Sequence, residues 1–207
     1  MALLPARPTI AFLASHNGTN MRAIVAACRD GRLRADVVAL ISNNGDSAAI
    51  AWAKQYRIPA VHISAKTTGS EAAADDAIAA TLAQYGADLV VLAGYMRKLG
   101  PETLGAFHRR ILNVHPALLP KFGGHGMYGK HVHEAVLKAG EKETGATIHL
   151  VDDQYDHGPI VAQGRVPVEA GDTPDTLAAR VQAEEQKLYP ETLRRIIARE
   201  IDLDRLK

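Results

Sequence analysis

Apolar residues along this chain fall in short unbroken runs, at residues 9–15, 37–42, 59–63 and 88–93, each about the length of a strand. Continuous rather than alternating apolarity is the pattern of strands covered on both faces. Residues 21–30, 47–56, 70–85 and 101–107 lie between or after these runs and predict helices. Gly31 closes the first, Asp46 or Ser47 caps the second, and Pro101 occupies the first turn of the last. A fifth strand ends at Asn113. This alternation predicts a doubly wound α/β domain, a mainly parallel, twisted sheet with helices on both faces.

The pattern changes after residue 113. Phe122-Gly-Gly-His-Gly-Met-Tyr-Gly129 holds four glycines and reads as a flexible loop. Residues 132–139 predict a helix. Strands at 147–151 and 160–168, joined through 152–159, predict an antiparallel edge. Gly171-Asp-Thr-Pro174 caps a last helix to about residue 199, with a bend expected at Pro190. No internal repeat or low-complexity linker divides the chain, so one domain over residues 1–207 is expected. Ligands of such sheets bind beyond the carboxyl ends of the strands, which sets the loops after Ala14, Ala93 and Val114 on one rim.

Composition narrows the function classes. Apolar content of 47% and charged content of 23% are those of an ordinary globular protein. The 24 basic and 23 acidic residues leave a net charge of +1, with no global field to draw nucleic acid or an anionic membrane. Any anionic ligand must be held locally. The single cysteine, Cys28, excludes an intrachain disulfide and a thiolate metal cluster, and fits a reducing, cytoplasmic setting. The run at 10–14 is too short for a signal peptide's apolar region, and no run approaches the ~18 residues of a spanning helix.

Chemistry concentrates in Ile111-Leu-Asn-Val-His-Pro-Ala-Leu-Leu-Pro120. Asn113 and His115 are two apart on an extended segment, so they point to the same side. Pro116 keeps the residue before it extended. An amide and an imidazole there can polarise a carbonyl and hold the oxyanion that forms on attack. Asp156, in Asp156-His-Gly-Pro159, can orient His115 and favour its protonated form. The plainer alternative is a strand-end asparagine and a histidine satisfied by a backbone carbonyl. The spacing, the following proline and the later Asp-His-Gly-Pro favour function. There is no Gly-x-Ser-x-Gly elbow, and Cys28 lies late in a helix. With no covalent nucleophile in view, the attacking group comes from a substrate, which suggests direct transfer of an acyl or formyl group to an amine.

Three further segments bear on ligands. His16-Asn-Gly-Thr-Asn20 joins a buried strand to a helix, where backbone N–H groups and the helix dipole make an anion site and Gly18 permits close approach. It is neither a Walker loop nor a Gly-x-Gly-x-x-Gly fingerprint. A simple turn capped by Thr19 or Asn20 fits it equally. Gly94-Tyr-Met-Arg-Lys-Leu-Gly100 sets an apolar side chain and a cation at the rim, suited to a flat ring with a carboxylate tail; the alternative is a loop with solvated Arg97 and Lys98. His131-Val-His133 would chelate zinc only if extended, with no cysteine to join it, so no metal is expected.

At these residues the chain resembles the phosphoribosylglycinamide formyltransferases. The matching motifs are Ser15-His-Asn-Gly-Thr-Asn20, Ala93-Gly-Tyr-Met-Arg97, Leu112-Asn-Val-His-Pro-Ala-Leu-Leu-Pro-Lys121, Gly145-Ala-Thr-Ile-His149, Asp156-His-Gly-Pro159 and Arg180-Val-Gln-Ala-Glu-Glu185. The resemblance implies the formyltransferase fold, with a nucleotide-binding half at about 9–112 and a folate and catalytic half at about 113–199. It implies formyl transfer from 10-formyltetrahydrofolate, as co-substrate, to glycinamide ribonucleotide in purine biosynthesis. Gly18, Thr19 and Asn20 would hold the phosphate; Gln182 and Glu185 would contact the ribose and glycinamide. Met96, Arg97, Lys98, Leu99, Asn113, Asp152 and Asp153 would line the folate pocket. Asn113 and His115 would stabilise the tetrahedral intermediate, with His115 as proton donor, and Asp156 would support His115 and help move the amine proton.

Two departures from the family pattern stand out. Ser70-Glu71 occupies the place where members carry a folate-gripping arginine, with Lys66 as the candidate substitute. The loop at 125–129 is extra length beside the site. The alternative activity is formyltetrahydrofolate deformylation, with water as acceptor. Hydrolases of that kind add an N-terminal regulatory domain and methionyl-tRNA formyltransferases a C-terminal RNA-binding domain; a chain running from this first strand to Lys207 argues against both. A non-catalytic nucleotide-binding module would keep the first loop without needing Asn113, His115 and Asp156. The expected partners are small molecules, with no nucleic acid or membrane, in a monomer or homodimer.

Overall fold

In a computed structural model describing residues 4–206, the apolar runs form β1 (Thr9–Leu13), β2 (Asp36–Ser42), β3 (Ala60–His62), β4 (Leu89–Leu92) and β5 (Ile111–His115). Between them lie α1 (Thr19–Arg29), α2 (Ala48–Gln55), α3 (Ala65–Thr68), α4 (Glu71–Gln84) and α5 (Pro101–Ala106). Then follow α6 (Lys130–Lys138), β6 (Glu143–Leu150), β7 (Ile160–Pro167) and α7 (Pro174–Ile197). The sheet order is β3-β2-β1-β4-β5-β6-β7. It is parallel from β3 to β5 and antiparallel from β5 to β7, the doubly wound arrangement and edge expected from the sequence. The chain winds outward from β1 to β3, then returns to lay β4 on the other side of β1. Loops leaving β1 and β4 therefore diverge and open a crevice.

Alternation along β1 divides the core into two layers. Ile10, Phe12 and Ala14 pack with Met21, Ile24 and Val25 of α1, Ala49 and Ala53 of α2, and Tyr189, Leu193 and Ile196 of α7. Ala11 and Leu13 pack on the opposite face with Ala74, Ile78 and Leu82 of α4 and with Phe107. A smaller cluster of Val136, Ala146, Val166, Leu177 and Val181 seals α6 and α7 onto the antiparallel edge. Tyr189 is fully buried, and its hydroxyl donates to the Leu112 carbonyl at 2.8 Å. A buried phenol needs such a partner, and here the partner lies one residue before Asn113.

Several boundaries differ from expectation. β6 starts at Glu143 rather than 147, because Glu143–Ala146 continue the ladder with β7. Gly145 and Ala146 carry little strand propensity; close packing selects the glycine, since a Cβ at Gly145 would sit 1.9 Å from the Gly164 carbonyl oxygen. α3 is a single turn closed by a capping box between Ser64 and Thr67. α7 runs as one helix through Pro190. α6 starts at Lys130, so His131 and His133 are helical, one exposed and one buried, and do not form the extended zinc-chelating pair.

Glycine substitutions test this packing. Gly145→Ala is expected to destabilise the protein by about 1–3 kcal/mol in urea unfolding, because backbone must shift to admit the methyl. Gly105, helical in α5 and with open space at its Cβ position, gives the opposite sign: Gly105→Ala should stabilise by about 0.5–1 kcal/mol.

Candidate active site

β5 carries Asn113 and His115 to the carboxyl edge of the sheet, and its antiparallel partner brings His149 directly opposite Asn113. Asn113 Nδ2 lies 3.1 Å from His149 Nε2, and His149 Nδ1 donates to the Leu150 carbonyl at 2.9 Å. Asp156 enters from the loop between β6 and β7 with φ 54°, a left-handed conformation that aspartate tolerates better than most residues. Its Oδ2 is 3.3 Å from His115 Nδ1 and accepts from the Gly124 N–H at 3.0 Å; its Oδ1 is 3.5 Å from His149 Nε2. One nitrogen cannot serve both its neighbours. The amide donates to neutral His149, whereas protonated His149 donates to the carboxylate. His115 Nε2 donates to the Phe122 carbonyl at 2.7 Å, so both its ring nitrogens face oxygens.

These contacts set the charge of Asp156. Burial alone would raise its carboxyl, but hydrogen bonds from His115 and His149, the His115 charge and the Gly124 N–H outweigh it. The carboxyl is held well below the usual carboxylate range. Asp156 is therefore a fixed anion between two imidazoles.

The first loop ends in Gly18, the N-cap of α1, with φ 59° and no side-chain cap. Met21 Cε and Ala49 Cβ would lie 3.1 and 3.2 Å from any Cβ there. Thr19 and Asn20 are not caps, as the simple-turn alternative required. Gln182 Nε2 donates to Thr19 Oγ1 at 3.3 Å, and Asn20 Nδ2 donates to Glu185 Oε2 at 2.8 Å. The uncapped start of α1 and the middle of α7 thus meet in one place. Glu185 is buried, and burial pushes its carboxyl up against the smaller opposing pull of Asn20 and His115.

The remaining residues line a cleft. A cavity of about 600 Å³ is bordered by Tyr95, Met96, Arg97, Lys98 and Leu99. A smaller one of about 70 Å³ shares Tyr95 and Arg97–Leu99 with it and reaches Asn113, His149, Asp152 and Asp156. Asp153 is exposed and outside the lining of both, as is Lys66. Instead Arg97 pairs with Glu71 at 3.3 Å. Burial, then the Glu71 charge, pushes the Tyr95 phenol up to about 12.

Three contributors escaped the sequence reading. His149 stands in the sequence only as the last residue of the Gly145-Ala-Thr-Ile-His149 motif, with no role read for it. Ser15 Oγ donates to Asn43 Oδ1 at 2.6 Å and accepts from the Met96 N–H at 2.7 Å, tying the ends of β1 and β2 to the cleft wall. Gly124 acts through its backbone, which no side-chain pattern reveals.

The formyl transferase family pattern matches residues 8–193. The chain belongs to the formyl transferase family. The chain is 45% identical over 91% of its length to a chloroplastic phosphoribosylglycinamide formyltransferase of Arabidopsis thaliana, and spans 65% of that relative. It is 39% identical over 87% of its length to the phosphoribosylglycinamide formyltransferase of Escherichia coli, of which it covers 83%. Glycinamide ribonucleotide transformylase 1 from Symbiobacterium toebii superposes with a TM-score of 0.87 at 40% identity, covering 93% of this chain and 89% of that one. A formyltetrahydrofolate deformylase from Pseudomonas syringae shares the fold, with a TM-score of 0.82 at 24% identity.

Glu185 offers a test by stability. A carboxyl raised in the folded state is penalised while ionised, and the penalty disappears as pH falls through the raised value. Glu185→Gln keeps an acceptor for Asn20 and removes the charge. It is expected to raise Tm by roughly 2–4 °C at neutral pH, for a gain on the order of 1 kcal/mol, with the difference shrinking on acidification in pH-dependent melts.

Proposed function

We propose that this formyl transferase moves the formyl group of 10-formyltetrahydrofolate to the amine of glycinamide ribonucleotide, giving formylglycinamide ribonucleotide and tetrahydrofolate in purine biosynthesis. The observation that carries the reading is the meeting of Asn113, His115 and ionised Asp156 at the inner end of a cleft, close to the start of α1 and to Glu185. Names of the relatives support the choice of substrates.

The reaction needs no protein nucleophile. The amine nitrogen attacks the formyl carbon, and the carbonyl oxygen becomes an oxyanion. The Asn113 amide and the His115 Nε2–H are the donors for that oxygen, once substrate displaces the Phe122 carbonyl from His115. The ammonium nitrogen formed on attack must lose a proton, and the folate nitrogen must gain one before its bond to the formyl carbon breaks. Asp156 favours the first transfer as a fixed anion, and His115 supplies the second. Gly18, Thr19 and Asn20 take the phosphate at the start of α1, where N–H groups and the dipole favour an anion. Gln182 and Glu185 contact the ribose and glycinamide. Met96–Leu99 and Asp152 line the folate site, with Asp153 at the exposed margin.

Purified protein is expected to consume 10-formyltetrahydrofolate, followed by absorbance, only when glycinamide ribonucleotide is added. Consumption without the ribonucleotide would instead establish the deformylase. Asp156→Asn should lower kcat by about 10²–10⁴-fold while leaving ribonucleotide binding within a few-fold by calorimetry. Undiminished turnover in that variant would remove Asp156 from the mechanism.

A further inference from the structure

The larger cavity has an acid-leaning wall. Glu71, Asp75, Asp76 and Glu102 line it, against Arg97 and Lys98. Asp75 is already committed, accepting from the backbone N–H groups of Gly100, Glu102 and Thr103. Arg97 and Lys98 border both this cavity and the inner one that reaches Asn113 and Asp156, so a ligand extending outward from the reacting atoms along them runs beside both cations. Yet Arg97 is not free to meet an anion. Its Nη2 lies 3.3 Å from Glu71 Oε1, in a pair whose side chains are 54% and 69% exposed. Folate co-substrates carry their charge at the end away from the reacting nitrogen, on the carboxylates of a glutamate tail. A folate with its reacting nitrogen beside Asn113 and Asp156 sends that tail towards Arg97 and Glu71.

We infer that Glu71 is a specificity-determining residue of this cavity. Its carboxylate competes with the tail carboxylates of the co-substrate for Arg97, so the enzyme gains little from each added tail glutamate. The inference rests on the proposed formyl transfer for the identity of the co-substrate. Its physical basis is exchange in place of addition. An exposed ion pair is weak enough to open for a ligand. A tail carboxylate that binds Arg97 must nevertheless displace a carboxylate already there, and the displaced Glu71 stays beside the tail as a like charge. Further glutamates then meet Asp76 and Glu102 on the same wall.

The test compares kcat/KM for 10-formyltetrahydropteroate, which has no glutamate, with that for the monoglutamate and triglutamate forms of 10-formyltetrahydrofolate. Wild type and Glu71→Gln are measured with glycinamide ribonucleotide as acceptor. The exposed position of Glu71 in the first turn of α4 lets glutamine replace it without disturbing packing, and a melting curve checks this. In wild type the ratio of triglutamate to tail-less co-substrate is expected to stay within about threefold of one. Glu71→Gln should raise that ratio about three- to tenfold, and high salt should erase the rise. An unchanged ratio in Glu71→Gln overturns the inference, as does a wild type that already prefers the triglutamate by about tenfold or more. The tail-less form keeps the two levels apart. If wild type turns it over, the formyl transfer stands and an unchanged ratio counts against Glu71 alone. If no folate is turned over, the reaction and the inference fall together.

Discussion

Burying an ionised carboxylate costs several kcal/mol unless charges and hydrogen bonds replace the lost water. Asp156 is 11% exposed, and its replacements come from three parts of the chain: His115 on β5, His149 on β6 and the Gly124 N–H of the glycine-rich loop. Both imidazoles have a second tie through the other ring nitrogen, His115 to the Phe122 carbonyl and His149 to the Leu150 carbonyl. The anion thus sets where the loops rest as well as the charge of the site. The left-handed backbone of Asp156 is a strain that this web holds in place.

The sheet supplies what the web needs. β5 pairs in parallel with β4, which sets Leu92 against Asn113, and antiparallel with β6, which puts His149 across from Asn113. On the other side, the reversal of winding between β1 and β4 opens the crevice lined by Met96–Leu99, and the Ser15 hydroxyl pins its wall.

The layers and the site were legible in the sequence to different depths. Apolar runs declared β1, β2 and β4, because a strand covered on both faces cannot hide its apolarity. The start of β6 was hidden, since Thr144-Gly-Ala146 is selected by a close backbone approach rather than by apolarity. Asn113 and His115 were visible through their spacing. Asp156 needed a guess about which loop folds back, and His149 needed the strand register, which no local pattern provides. The Arg97–Glu71 pair joins the loop after β4 to the start of α4, and only the folded chain brings them together.

The bond from Tyr189 to the Leu112 carbonyl has a mechanical meaning. It rivets α7, with Gln182 and Glu185, to the strand that presents Asn113 and His115. Sliding the helix by one turn, about 5.4 Å, would break this rivet and pull Glu185 off Asn20 in the same motion. The spacing between the helix and the strand is consequently not a soft coordinate. Adjustment to each passing molecule falls to the loops at 94–100, 122–129 and 151–159, which can yield while the beam between them stays stiff.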